Sequence, residues 1–241
     1  MDITVLLQAI PETDDCHLYL LIEGGAQTAE GFQAFYTAHS SAMSSLFLHP
    51  QLTDARTYGP WLFALEKKEQ LGEYLKNTPG IVGVIVSPRL PGSLAIQLSN
   101  ACTIICPDKS TALIRFYSRH VLNTLVQCHE QEWHYFLFKD IAQWWTPIEG
   151  NWQPVTLVPS TAENARERTV RLNEEIWQQI ADKPEVSTVL AQWQKMPASQ
   201  HFPPCAQRDM VIKALDKAQA AGLDAGPDRK LYALYYLNGG K

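Results

Sequence analysis

The sequence predicts an α/β (α+β) protein: an N-terminal mixed-sheet lobe flanked by short helices, followed by a C-terminal helical lobe. Three observations carry that expectation. Up to about residue 158, short apolar runs alternate with short amphipathic stretches, a rhythm that returns repeatedly from helix to strand. IVGVIVSP (81–88) is continuous, β-branched and stopped by Pro88, the signature of a buried strand. After Pro159 the apolar residues fall at helical spacing instead. The expected division is therefore an α/β domain over 1–158 and a helical lobe over 159–241.

The elements follow in order. MDITVLLQAIPETDD is apolar from Ile3 to Ile10 and then acidic, and it reads as a first strand. CHLYLLIEGG (16–25) is a strand closed by a Gly-Gly turn. In TAEGFQAFYTAHS, Phe32, Phe35 and Tyr36 share one helix face. YGPWLFALE (58–66) is strand-like, and Leu71, Tyr74 and Leu75 mark a second small helix. LPGSLAIQLSNAC supplies another, with Leu94 and Leu98 four residues apart. TIICP and TALIRFY read as neighbouring strands around a Pro107-Asp108 turn.

In ALIRFYSRHVL (112–122), Ser118 is a good N-cap, and Val121, Leu122, Leu125 and Val126 give the next helix its buried stripe. Residues 133–158 hold four of the seven tryptophans, with Glu149-Gly150-Asn151 as a hairpin turn between two strand-like runs. Trp144 and Trp145 point to opposite faces of such a strand, so both are buried only if both faces are covered.

In the second lobe, Ser160 and Glu163 form an S-x-x-E capping box, and Leu172, Ile176 and Ile180 line the helix expected to follow. Val186, Val189, Leu190 and Trp193 mark a second helix, and Val211, Ala214, Leu215 and Ala218 a third. Pro227 opens a fourth, whose apolar face reads as Leu231, Leu234 and Tyr235.

The bulk numbers exclude several function classes. With 241 residues, 46% hydrophobic and 19% charged, the chain is of ordinary globular composition. Its net charge is −5 and its basic residues are thinly spread, which disfavours nucleic acid. No apolar stretch approaches the ~20 residues that cross a bilayer, so no membrane association is expected. The first residues lack the basic start and long apolar centre of a secretory signal, and the five scattered cysteines suit reduced thiols. A cytoplasmic protein is the expectation.

Chemistry is sparse. The sequence carries no G-x-S-x-G elbow, Walker loop, G-x-G-x-x-G or H-E-x-x-H. Cys102-x3-Cys106 lies in apolar surroundings and reads as buried thiols rather than a zinc site. Cys128 with His129 or His134 makes a nucleophile–base pair on paper, with Arg115 nearby in sequence, and defines the alternative reading: a small hydrolase or transferase. The segment Arg115–His120 reads as a structural corner in which Arg115 pairs with a carboxylate or caps carbonyls. No catalytic, cofactor or metal residue is assigned.

The order of three stretches adds something else. LYLLIEGG (18–25), Gly59-Pro60-Trp61-Leu62 and the run Arg115-Phe116-Tyr117-Ser118-Arg119-His120-Val121-Leu122 resemble motifs of a bacterial family first catalogued as a domain of unknown function. That family is associated with type VI secretion, as the effector adaptors or chaperones often called Tap or Tec proteins. In this chain Ser118-Arg119 stands where the family's motif has Asp-Pro.

The resemblance covers roughly residues 16–145 and implies an α/β lobe followed by a helical one. It also implies a non-enzymatic, cofactor-free cytoplasmic factor. Such a factor binds a cognate secreted effector and helps mount it on the valine-glycine-repeat spike protein. Arg115, Phe116 and Tyr117 are then family-motif residues, structural or partner-binding. Because Trp and Tyr are favoured at interface hot spots, Trp144, Trp145, Trp152, Tyr235 and Tyr236 are the candidate partner contacts.

Overall fold

In the computed structural model, residues 3–11, 15–148, 150–162, 166–181, 184–202 and 204–240 are described. They divide into two compact units, Met1–Ile180 and Ala181–Lys241. The division falls later than the 158/159 boundary expected from pattern. Val170, Leu172, Ile176 and Ile180 are buried in the core of the first unit, so the segment after Pro159 belongs to it.

The first unit is built on a six-stranded sheet. Its strands are β1 (His17–Glu23), β2 (Met43–Ser45), β3 (Pro60–Leu65), β4 (Ile81–Ser87), β7 (Gln143–Ile148) and β8 (Asn151–Pro154). Their order is β2-β3-β1-β4-β7-β8. The α/β lobe stands as expected, and its sheet, expected to be mixed, pairs antiparallel throughout. A separate ribbon pairs β5 (Thr103–Ile105) with β6 (Thr111–Leu113). Arg171 makes a parallel bridge to Ile105 on this ribbon.

Alternation along the strands sorts side chains to two covered faces. Tyr19, Leu21, Leu62, Ile85 and Trp144 enter one core with helices α4 (Pro91–Ser99), α5 (Arg119–Gln127), α6 (Glu132–Phe138) and α7 (Glu174–Ile180). Leu20, Ile22, Phe63, Val84 and Trp145 enter the other, with α1 (Thr4–Ala9), α2 (Ala29–His39) and α3 (Leu71–Asn77). Both adjacent tryptophans are therefore buried, at 1% and 4% exposure. The hairpin joining β7 to β8 is present, with Gly150 at φ +85°; Glu149 of the expected turn lies outside the described residues.

Three local expectations are corrected. The N-terminal apolar run is helix α1, not a strand. Ile3, Leu6, Leu7 and Ile10 recur at helical spacing and all pack on the second core. No helix begins at Ser160: its hydroxyl accepts from the Ala162 amide and donates to the His129 carbonyl, while Glu163 lies outside the described residues. Helix α7 starts instead at Glu174, where Asn173 Oδ1 accepts the Ile176 amide at 2.9 Å. Leu172 precedes that helix and follows the bridge to β5.

The second unit packs α8 (Pro184–Trp193), α9 (Pro204–Ala220) and α10 (Pro227–Leu237) around Val189, Trp193, Val211, Ala214 and Leu215. The expected face of α10 is the third correction. Ala233 and Leu237 are buried, whereas Leu231 and Tyr235 are 68% and 60% exposed. Ala233 faces a core that includes Ala214, a small residue that lets helices approach closely. No helix among the described residues is long and apolar enough to cross a membrane.

Candidate functional site

The three stretches that carry the family resemblance, far apart in sequence, meet at one end of the sheet. Strand β1 ends at Glu23, which is paired opposite Pro60 of β3. The Gly24 amide donates to the Gly59 carbonyl at 3.0 Å, and the Glu23 amide donates to the Gly80 carbonyl at 2.8 Å. Only glycine fits at two of these positions. A methyl group on Gly24 would lie 2.0 Å from the Thr57 carbonyl oxygen, and one on Gly59 would lie 2.4 Å from the Phe47 ring. The glycines of LYLLIEGG and G-P-W-L thus let two backbones and an aromatic ring close together.

Arg115 locks the third stretch to this corner. Its guanidinium Nη2 sits 2.5 Å from Oε2 of Glu23, whose side chain is 7% exposed. The guanidinium also lies 5.8 Å from the centre of the Tyr117 ring. Burial opposes the charge on Arg115, but the Glu23 carboxylate and Tyr117 outweigh it and hold the group charged, above its usual range. Burial, then the Glu23 carboxylate, push the Tyr117 phenol well up, with Arg115 partly offsetting them. At neutral pH the corner is therefore carboxylate, guanidinium and neutral phenol.

Phe116 is fully buried and meets Tyr117 and Trp144 edge-on, at ring centroid distances of 5.4 and 6.2 Å. Arg115, Phe116 and Tyr117 are brought together as a structural corner, but not as part of β6, which ends at Leu113. Ser118 takes the extended N-cap conformation of α5 without a side-chain cap bond; its carbonyl accepts the Leu122 amide. His120 is exposed and its Nε2 lies 3.2 Å from the Gln179 carbonyl. Sequence reasoning leaves a carboxylate and backbone carbonyls open as partners of Arg115; the structure shows the carboxylate, Glu23. The signal was present: a lone Glu ending an otherwise apolar strand.

The Cys/His set of the alternative reading has no activated nucleophile. Cys128 Sγ donates to the Thr124 carbonyl, and burial pushes its thiol up to about 11. The buried Cys102 thiol is pushed up by the same cause. His134 is 1% exposed with Nε2 3.0 Å from the Val126 carbonyl, and burial lowers its pKa. A catalytic cysteine needs the opposite environment. Arg115 is committed to Glu23, and no group of three or more His, Cys, Asp or Glu among the described residues is placed to hold a metal ion.

The candidate partner contacts separate by exposure. Trp144, Trp145 and Trp152 are 1%, 4% and 4% exposed and belong to the two cores. A partner reaches them only by displacing the helices or strands that cover them. Tyr236 is half-buried beneath Lys217, whose Nζ lies 4.5 Å from its ring centre. Tyr235, beside exposed Leu231 one turn away, is the one of the five that is open.

Comparison with known proteins bears on the same region. Residues 18–135 match the model of a family described as "Domain of unknown function (DUF4123)". The match begins at β1 and runs into α6, and it contains Glu23, Gly24, Gly59 and the Arg115–Tyr117 corner. No curated protein and no solved structure matches the chain.

Proposed function

We propose that this protein is a non-enzymatic adaptor of a type VI secretion system. It binds a cognate effector in the cytoplasm and helps load it onto the valine-glycine-repeat spike protein. The observation that carries this reading is the family match over residues 18–135, which falls on the stretches whose order resembles the effector adaptors. The corner these stretches build supports it, because its polar groups serve one another rather than a substrate: Glu23 neutralises Arg115, and Tyr117 stays protonated. The raised Cys128 thiol points the same way. In this reading the adaptor holds apolar surface of its cargo out of water until transfer, with no turnover and no cofactor.

Deletion of the gene in the native host tests the proposal. The expected result is that one effector stays in the cell while the spike and other effectors are still secreted. Unchanged secretion of every effector would overturn the adaptor reading.

A further inference from the structure

An open cleft of about 370 Å³ lies in the first unit between the end of α6 and the chain that leaves β8. One wall is Phe138, Lys139 and Ile141, and the other is Leu157, Val158 and Pro159. The volume is that of a small binding site, enough for one or two large apolar side chains.

The second wall has an unusual backbone. Residues 155–160 leave β8 without regular structure of their own. The chain is tied at both ends: the Val155 amide donates to the Trp144 carbonyl at 2.7 Å, and the Thr161 amide donates to the His129 carbonyl at 3.0 Å. Between these ties the amides and carbonyls of Thr156, Leu157 and Val158 make no hydrogen bond among the described residues. Pro159 biases Val158 to the extended conformation. Unpaired backbone beside a pocket is a template onto which a peptide strand adds.

Charge indicates which peptide. Two ionic side chains stand in the wall where the helix ends. Asp140 is neutralised by Arg89, whose Nη2 lies 3.0 Å from its Oδ2. Lys139 is exposed, rests 5.4 Å from the Tyr135 ring centre, and makes no ion pair among the described residues. One uncompensated positive charge therefore stands at the rim of a cleft lined by both apolar and polar side chains.

We propose that this cleft binds an extended peptide of a partner protein, pairing with the backbone of Thr156–Val158. An apolar side chain of the peptide enters between Phe138, Ile141 and Leu157, and a carboxylate meets Lys139. The inference deepens the adaptor reading by giving the surface and chemistry of one partner contact, but its test is independent of secretion.

The probe is an array of acetylated nonapeptides of alternating Val and Thr. Leu, Met, Phe or Ala stands at the centre, and Asp, Asn or Lys stands at each of the flanking polar positions. Binding to the full chain is read by fluorescence polarisation. The expected result is binding of peptides with a large apolar centre and Asp, at least tenfold tighter than their Lys counterparts. Lys139→Glu, at an exposed site, should invert that preference without altering the melting temperature. N-methylation of the peptide at alternate residues should abolish binding in one register and spare it in the other.

Absence of binding across the array would overturn the proposal, as would indifference to Asp against Lys or to N-methylation. Binding of the free amino acid derivatives alone would also overturn it, since the cleft would then be a small-molecule site. If the effector is captured in cells equally well by Lys139→Glu, the cleft proposal fails while the adaptor reading stands.

Discussion

Arg115 and Glu23 meet at 2.5 Å across most of the matched region, tying the turn after β6 to the end of β1. Glu23 is nearly inaccessible, whereas the Arg115 side chain keeps 34% of its surface exposed. Removing the arginine strands a buried carboxylate, and removing the carboxylate leaves a half-buried cation. Full burial would make each loss worth ~3–5 kcal/mol; with partial exposure of Arg115, Arg115→Ala should cost about 2 kcal/mol. Urea unfolding of Arg115→Ala, Glu23→Gln and the double variant checks this. The two losses should be strongly non-additive, and simple additivity would show that the pair is not coupled.

The glycine contacts at the same corner give a sharper prediction. Gly24→Ala drives its methyl group into the Thr57 carbonyl, a backbone atom that cannot rotate away. The expected loss is about 3 kcal/mol or more, at the upper end of overpacking costs. Gly92→Ala, in α4 with open space around it, serves as the control and should be neutral or slightly stabilising. Equal melting temperatures for the two variants would contradict the close approach.

Three groups shifted by burial contribute to the pH dependence of stability. The Tyr19 phenol, which donates to the Arg89 carbonyl, is pushed by burial from 10.0 to about 12, and the Cys128 thiol from 9.0 to about 11. Both are neutral in the fold and ionise earlier once unfolded, so stability should fall as pH rises above about 9 and go on falling towards about 12. The His134 pKa is lowered from 6.5, so the fold binds fewer protons there. Its contribution is complete above about 6.5 and is lost as pH falls below it. Denaturant midpoints measured from pH 5 to 10 should form a plateau between those limbs, and His134→Gln should flatten the acid limb.

The Cys128 environment makes a separate chemical prediction. At pH 7.5 its thiol should alkylate with iodoacetamide at least tenfold more slowly than an unshifted thiol, because its thiolate fraction is smaller by that factor or more. The rate should climb about tenfold per pH unit until pH approaches 11. Peptide mapping by mass spectrometry follows it. Fast modification at neutral pH would reopen a nucleophilic role for this residue.

Much of this architecture was legible in the sequence, and the failures have physical causes. Strands β1, β3 and β4 announced themselves because near-continuous apolar runs, β-branched in β4, suit a sheet covered on both faces. The run Ile3–Ile10 is also continuously apolar over part of its length, and only its spacing, positions 3, 6, 7 and 10, distinguishes a helix. Ser160 was misread because a capping pattern is also a turn pattern: the same hydroxyl that caps a helix here bonds the Ala162 amide in a loop.

Exposure was the hardest property to read. Leu231 and Tyr235 have the right spacing for a buried face, but small Ala233 wins the close contact in the helical core. Adjacent tryptophans in β7 are both buried only where both faces are covered, and the seven helices over the two faces of the sheet explain why both are inside. The corner of Glu23, Gly59 and Arg115 was written as three separate motifs, and their meeting depends on strand order, which no local pattern encodes.

The central claim is tested most directly by affinity capture of the tagged full-length chain from its native host, with mass spectrometry of the proteins that co-purify. The account predicts recovery of one toxin-like effector, with or without the spike protein. Bait recovered alone, from cells shown to be expressing the secretion system, would contradict it.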